Sequence, residues 1–259
     1  MKIPIYQIDA FTSDQFRGNP AAVCPLKAWI KDDLMQKIAA ENNLSETAFF
    51  VKKDNGYELR WFTPEDEVDL CGHATLAAAY VICTYLDENI SDITFHTQSG
   101  ILEVFKNGSL FTLVFPSREG EKCDPPEALV KGLGKAPKEV YLSRDYMAVY
   151  ETEQDILSLD LNMDELKKLD GLGVIVTAKG NKVDFVSRFF VPKAGINEDP
   201  VTGSAHCTLI PYWKKVLNKT DLEALQLSER GGKLYCVDSG ETVKISGEAV
   251  AYLEGHINI

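Results

Sequence analysis

The sequence repeats itself over about half of its length, and this repeat constrains the fold more than any other feature. Arg60-Trp61-Phe62-Thr63-Pro64 and Arg188-Phe189-Phe190-Val191-Pro192 begin 128 residues apart (188 − 60). Farther on, Gly100-Ile101-Leu102-Glu103-Val104 matches Gly232-Lys233-Leu234-Tyr235-Cys236 at an offset of 132 (232 − 100). A repeat of this size predicts that the 259 residues form two similar domains.

Each copy contains an apolar run that begins with a glycine and a small or polar residue. Gly72-His73 opens the first run, which ends at Ile82, and Gly203-Ser204 opens the second. A helix that is apolar all round is buried, and the free N–H groups of its first turn suit an anion. We expect both helix starts to face one cleft between the domains, with His73 and Ser204 donating to a small carboxylate.

The rest of the pattern predicts an α/β (α+β) fold, in which a largely antiparallel sheet wraps around a central buried helix in each of two pseudo-symmetric domains. The N-terminal domain is predicted over residues 1–120 and the C-terminal domain over 121–259, and the last strand can return to the first domain. Amphipathic helices are predicted over 32–42 and 163–169, and a linker with room for one short helix over 125–137.

Composition excludes several classes of partner. The chain has 27 basic and 39 acidic residues, a net charge of −12 (27 − 39), and no basic cluster, which argues against nucleic acid and anionic membranes. The N-terminus lacks the apolar core of a signal peptide. Six cysteines without a Cys-x-x-Cys pair indicate reduced thiols in a cytoplasmic protein, and four scattered histidines predict no metal site.

Glu46 is the most unusual residue of the predicted strands. On a strand it shares one face with Leu44, Ala48 and Phe50, and a carboxylate on an apolar face is costly. The repeat places Val174 at the equivalent position (46 + 128), so the fold itself does not require a carboxylate there. We therefore predict that Glu46 transfers protons, the alternative being a glutamate at a sheet edge that points to water.

Five motifs occur in order along the chain, four in the first half and one in the second: Asp9–Thr12, Gly18–Val23, Asn43–Phe49, Leu70–Thr75 and Asp199–Ala205. With them the chain resembles the PhzF-like isomerases of phenazine biosynthesis over nearly its whole length. The resemblance implies a diaminopimelate epimerase-like fold, a site between the domains, no cofactor and a homodimer. In the type member the reaction is a proton shift and double-bond isomerisation on a dihydro-hydroxyanthranilate.

The resemblance also implies roles for residues of this chain. Glu46 is the acid/base, and His73, Asp199 and Ser204 complete the catalytic set. Substrate contacts are expected from the backbone of Gly72 and Gly203 and from four further residues, namely Asp9, Asn19, Cys71 and Thr202. The predicted activity is thus a cofactor-independent isomerisation of a small carboxylate-bearing metabolite, with no metal.

Three alternatives remain open at this stage. Related racemases and epimerases use two opposed cysteines, each before a helix-start glycine; Cys71 fits the first position, but Thr202 occupies the second. Ser204 and His73 could form a hydrolase pair, although no Gly-x-Ser-x-Gly motif supports it. A non-catalytic protein that binds a small ligand in the cleft is the third possibility.

Overall fold

A computed structural model describes all residues from 1 to 259. The chain divides into two compact units, the first formed by Met1–Val114 with Ser246–Ile259 and the second by Phe115–Ile245. The strands are β1 Lys2–Ala10, β2 Asn19–Leu26, β3 Glu46–Lys53, β4 Gly56–Phe62, β5 Glu67–Val68, β6 Asp92–Thr97, β7 Gly100–Asn107, β8 Leu110–Pro116, β9 Glu121–Cys123, β10 Glu139–Leu142, β11 Tyr146–Val149, β12 Val174–Lys179, β13 Phe185–Phe190, β14 Asp221–Gln226, β15 Gly232–Asp238, β16 Thr242–Gly247 and β17 Ala249–Asn258. The helices are α1 Asp32–Asn42, α2 Gly72–Val81, α3 Glu127–Leu133, α4 Glu153–Leu157, α5 Met163–Leu166 and α6 Gly203–Leu217.

The two units repeat one strand connectivity. In the first, β2 and β3 are parallel, β4 is antiparallel to β3, and β6 is parallel to β4 and antiparallel to β7. In the second, β11, β12, β13, β14 and β15 follow the same pattern. Glu46 and Val174 each begin the equivalent strand, as the repeat predicts. The α/β class with a largely antiparallel sheet in each unit is confirmed.

Helix α2 is the buried helix that the apolar run predicts. Every residue from His73 to Ala79 is buried, and so is Val81. Alanine favours this burial because it has the highest helix propensity and its small side chain lets neighbouring strands approach closely. A π-helical turn, Ile82–Leu86, continues α2 at its C-terminal end.

Helix α6 contains a proline, Pro211, and still runs for 15 residues. Proline has no N–H, so the carbonyl of Cys207, four residues earlier, loses its helical partner. The backbone N–H of Arg118 donates to that carbonyl instead, at 2.9 Å. The helix therefore keeps its course because a distant segment of the same unit supplies the missing hydrogen bond.

Two local predictions were wrong. The stretch 125–137 contains one short helix, α3, but it is not a linker, because Leu129 and Leu133 of α3 are fully buried in the core of the second unit. The helix predicted over 163–169 covers only Met163–Leu166, capped by the Asn162 side chain. In both places short-range periodicity was outweighed by tertiary packing.

The C-terminal strand β17 belongs to the first unit, where it pairs with β1 in antiparallel register from Lys2 opposite Asn258 to Ala10 opposite Ala249. None of the helices combines the length and the apolar surface that crossing a membrane requires.

Candidate functional site

Both central helices begin without a capping side chain. Cys71 precedes α2 and Thr202 precedes α6, each in extended conformation, and neither side chain accepts a hydrogen bond from the helix start. Most helices fill this position with an Asp, Asn, Ser or Thr that occupies the first N–H groups. The N–H groups of these two starts are thus left for another acceptor.

In the first unit, Glu46 and His73 lie side by side. Glu46 Oε2 is 3.1 Å from His73 Nε2, with 15% of the glutamate side chain and 7% of the histidine side chain exposed. Both atoms are buried, and apart from this contact with each other neither has a hydrogen-bond partner. A buried ion pair with no further hydrogen bonds is costly, and such pairs are candidates for functional sites.

The other ring nitrogen of His73 contacts two further residues. Asn19 Nδ2 lies 3.2 Å and Cys71 Sγ lies 3.5 Å from Nδ1. Burial raises the pKa of the Cys71 thiol to about 11, and the Glu46 charge adds to this, so Cys71 is a protonated thiol at neutral pH. Burial by itself lowers the pKa of His73, but the negative charge of Glu46 beside Nε2 raises it above its ordinary value.

Glu46, Cys71 and His73 are the residues that could hold a metal ion, since their ligand atoms lie within 4.8 Å of one another. Cys71, however, contacts Nδ1 of the imidazole, whereas Glu46 lies at Nε2. One ion binds one nitrogen of a histidine, so only one of these two close contacts is made by the nitrogen that would bind it. The arrangement fits a chain of proton donors and acceptors better than a coordination sphere.

In the second unit, Asp199 and Thr202 are tied together ahead of α6. The Thr202 hydroxyl donates to Asp199 Oδ2. Gln226, on β14, fixes both residues: its Oε1 accepts the Thr202 N–H at 2.9 Å, and its Nε2 donates to the Asp199 carbonyl at 2.8 Å. Sequence reasoning missed Gln226, whose only local signal is a polar residue at a buried strand position.

Ser204 has a different neighbour. Arg144 Nη2 donates to Ser204 Oγ at 2.9 Å, and Asp145 holds the same guanidinium. Neither Arg144 nor Asp145 was predicted, because both lie in a short turn without a motif. Asp9, which was predicted, is buried, and its Oδ2 accepts the Phe16 N–H at 2.9 Å, which shapes the loop before β2.

The predicted site residues thus form two groups, each described within its own unit. Glu46, His73, Cys71 and Asn19 meet at the start of α2. Thr202 and Asp199 meet ahead of α6, and Ser204 stands in its first turn. Gly72 and Gly203 are the first residues of the two helices, as predicted.

An arginine fixes the approach to each helix. Arg60 forms a two-point ion pair with Glu67, at 2.7 Å for both contacts, and Arg188 pairs with Glu198 at 2.8 and 2.9 Å. Each guanidinium also lies over the aromatic ring two residues later on its strand, Phe62 at 5.2 Å or Phe190 at 4.9 Å. We refer to these groups as the arginine clamps.

We expect Arg188→Lys to lower the free energy of unfolding by about 1–2 kcal/mol, because lysine cannot form the two parallel hydrogen bonds to Glu198. Urea unfolding measures the change, with Arg118→Lys as the control, since Arg118 forms no salt bridge. Equal stability of the two variants would show that the clamp adds little to the fold.

Comparison with known proteins decides the family. The family model described as "Phenazine biosynthesis-like protein" (PhzC-PhzF) matches residues 8–255. The chain belongs to the PhzF family. It is 49% identical over 259 residues to an uncharacterized isomerase of Pseudomonas aeruginosa, covering 100% of both chains. It is also similar to the crystal structure of a PhzF family protein from Enterococcus faecalis, with 48% identity, a TM-score of 0.98 and 100% of both chains covered.

A more distant likeness concerns the fold alone. A hydroxyproline epimerase from Agrobacterium vitis, solved with trans-4-hydroxy-L-proline bound, shares 8% identity and a TM-score of 0.62, over 99% of this chain and 92% of that one. The PhzF family chain therefore has the two-unit fold of the epimerases, as predicted.

Proposed function

We propose that this protein is a cofactor-independent isomerase that shifts a proton, and with it a double bond, in a small carboxylate-bearing metabolite. The observation that carries the proposal is the buried pair of Glu46 Oε2 and His73 Nε2, 3.1 Å apart and with no further hydrogen-bond partner at either atom. The isomerase name of the Pseudomonas relative and the epimerase fold support the same class of enzyme.

In the proposed reaction Glu46 acts as the proton shuttle. Its carboxylate removes a proton from one carbon, the C–H electron pair forms a new double bond, and the old double bond takes up the same proton at a second carbon. No net charge or electron leaves the substrate, so no oxidant or reductant is required. His73, with its raised pKa, donates from Nε2 to the substrate oxygen on which negative charge develops.

The second unit is proposed to bind the same ligand. Asp199 and Ser204 would hold its polar groups, and the uncapped N–H groups at Gly72 and Gly203 would hold negative charge. Asn19 and Thr202 are proposed to line the site.

We also propose a cytoplasmic homodimer, as the family resemblance implies. Sedimentation velocity checks the dimer, and a single species of monomer mass would contradict it.

The second candidate is a racemase or epimerase in which Cys71 is the base. Its support is the placement of Cys71 directly before Gly72 and the likeness to the epimerase fold. Against it stands the pKa of the thiol at about 11, which leaves almost no thiolate near neutral pH.

Cys71→Ser separates the two candidates. We expect the variant to keep most of its isomerase activity, because serine preserves the size of the side chain and Glu46 carries the proton. Turnover of the folded variant measures this. A loss of 100-fold or more would make Cys71 the base and place the racemase first.

A non-catalytic binding protein is the candidate from a different class. Solvent-exchange experiments distinguish it, since an isomerase that shuttles a proton washes deuterium from D2O into its substrate or product. Dihydro-hydroxyanthranilate is the first compound to test. Binding without deuterium incorporation, by a protein that also fails to convert the compound, would favour the binding role for that ligand.

A further inference from the structure

Arg144 forms hydrogen bonds to two residues. Its Nη2 is 2.9 Å from Ser204 Oγ and 2.9 Å from Asp145 Oδ2, and its Nε is 3.1 Å from the same Asp145 oxygen. Asp145 is 2% exposed at its side chain, whereas the Arg144 side chain is 34% exposed. The buried carboxylate therefore anchors a guanidinium that still reaches solvent.

This contact fixes what Ser204 can offer a ligand. A guanidinium has only N–H donors, so it occupies a lone pair of the Ser204 hydroxyl and never accepts from it. The hydroxyl hydrogen must then point away from Arg144, and no acceptor for it is present in the structure. Because the donor is charged, it also polarises the O–H bond. The Ser204 hydroxyl is therefore oriented to donate a hydrogen bond to a ligand.

The contact has a counterpart in the first unit. Asn19, at the start of β2, contacts the residue that follows the helix-start glycine, His73, at 3.2 Å. Arg144 immediately precedes Asp145 and β11, the strand equivalent to β2, and contacts the residue that follows Gly203. In both units, the turn leading into the same strand thus supports the functional side chain of the central helix.

We propose that Arg144 is a positioning residue that makes Ser204 a dedicated hydrogen-bond donor and so selects a carboxylate as the ligand group bound there. This inference rests on the proposed function, because it takes Ser204 to contact the substrate. The carboxylate, rather than an amine, then lies at the start of α6, where Arg144 adds positive charge.

The probes are 3-hydroxyanthranilate and 2-aminophenol, which differ by one carboxylate. Calorimetric titration of wild-type protein is expected to show tighter binding of 3-hydroxyanthranilate. Ser204→Ala and Arg144→Met are each expected to weaken its binding about tenfold and to leave the binding of 2-aminophenol unchanged. Lys179→Met, which removes an exposed charge of the second unit, serves as the control and is expected to change neither.

Two further variants make the test specific for positioning. Arg144→Met, Ser204→Ala combined should bind no more than about threefold more weakly than either single variant, because both remove one interaction. Arg144→Met leaves the buried Asp145 carboxylate without its cation, so Arg144→Met, Asp145→Asn is the substitute if the single variant does not fold. Arg144→Lys retains the charge but has a shorter side chain and lacks the second donor, Nε, that holds Arg144 on Asp145, so it is expected to restore only part of the affinity.

Additive losses of about 100-fold in the double variant would overturn the positioning role, since Arg144 would then act on the ligand directly. Equal affinity of wild-type protein for the two probes would overturn the carboxylate assignment. Deuterium exchange is scored separately: if carboxylate selectivity is intact but exchange is absent, only the proposed isomerase fails. If exchange is intact but selectivity does not respond to Arg144→Met, only this inference fails.

Discussion

Glu46→Gln is expected to reduce turnover, and the wash-in of solvent deuterium, by at least about 100-fold, the lower range for loss of a general acid/base. Glutamine keeps the size of the side chain and its ability to hydrogen-bond, but it cannot take up and return a proton. Affinity for the substrate should change little, because the anionic groups are proposed to bind at the N–H groups of the helix starts. Steady-state kinetics, calorimetry and exchange in D2O measure the three quantities.

The matched control for this variant is Glu41→Gln, which removes one carboxylate from the exposed side of α1 in the same unit. It should be indistinguishable from the wild-type protein in all three assays. A folded Glu46→Gln protein with full turnover would falsify the assignment of Glu46. A variant that loses affinity and turnover to the same degree would make Glu46 a binding residue.

Acidification is expected to lower the free energy of unfolding of the second unit by about 3 kcal/mol, because the buried His206 must take up a proton. This residue is fully buried, its Nδ1 donates to the Thr202 carbonyl at 2.8 Å, and its Nε2 has no partner. Burial lowers its pKa from 6.5 to about 4, and the bond to Thr202 offsets only part of that. The unfolded chain thus binds a proton between pH 6.5 and 4 that the folded chain does not, so stability is complete above pH 6.5 and falls as pH decreases through this window.

His206→Asn isolates this effect. An asparagine amide can still donate to the Thr202 carbonyl but does not titrate. Urea unfolding at a series of pH values should give a curve between pH 7 and 4 that is shallower for the variant by up to about 3 kcal/mol. His73 acts in the opposite direction, because its raised pKa gives stability that is present below pH 6.5 and lost at higher pH. Both proteins contain His73, so its effect cancels when their two curves are compared. Parallel curves would show that His206 is already charged in the folded protein.

The local structure could be predicted from the sequence where a residue type has one main physical consequence. A long, alanine-rich apolar run behind a glycine predicts a buried helix, and α2 begins at Gly72 as expected. The repeat also aligned Glu46 with Val174 correctly, since the two residues begin equivalent strands. Both inferences depend on local chemistry and on spacing along the chain.

What sequence alone could not give are the partners that meet only through the tertiary fold. Arg144 reaches Ser204 across 60 positions, and Gln226 reaches Thr202 across 24. Nothing in their own neighbourhoods distinguishes them from ordinary surface or strand residues. The proline-rich stretch before α3 led to the wrong prediction of a linker. In the sequence Leu129 and Leu133 resemble any short apolar pair, and only the tertiary fold shows that the core encloses them.

The pairing of β17 with β1 has a consequence for synthesis on the ribosome. The strand that completes the edge of β1 is made about 240 residues after it, whereas Phe115–Ile245, the second unit, is continuous in the chain. Domains usually fold in the order in which they emerge, N-terminal first. Here the first unit cannot be completed before the second has been made, because it needs residues 249–258, which follow Phe115–Ile245 in the chain.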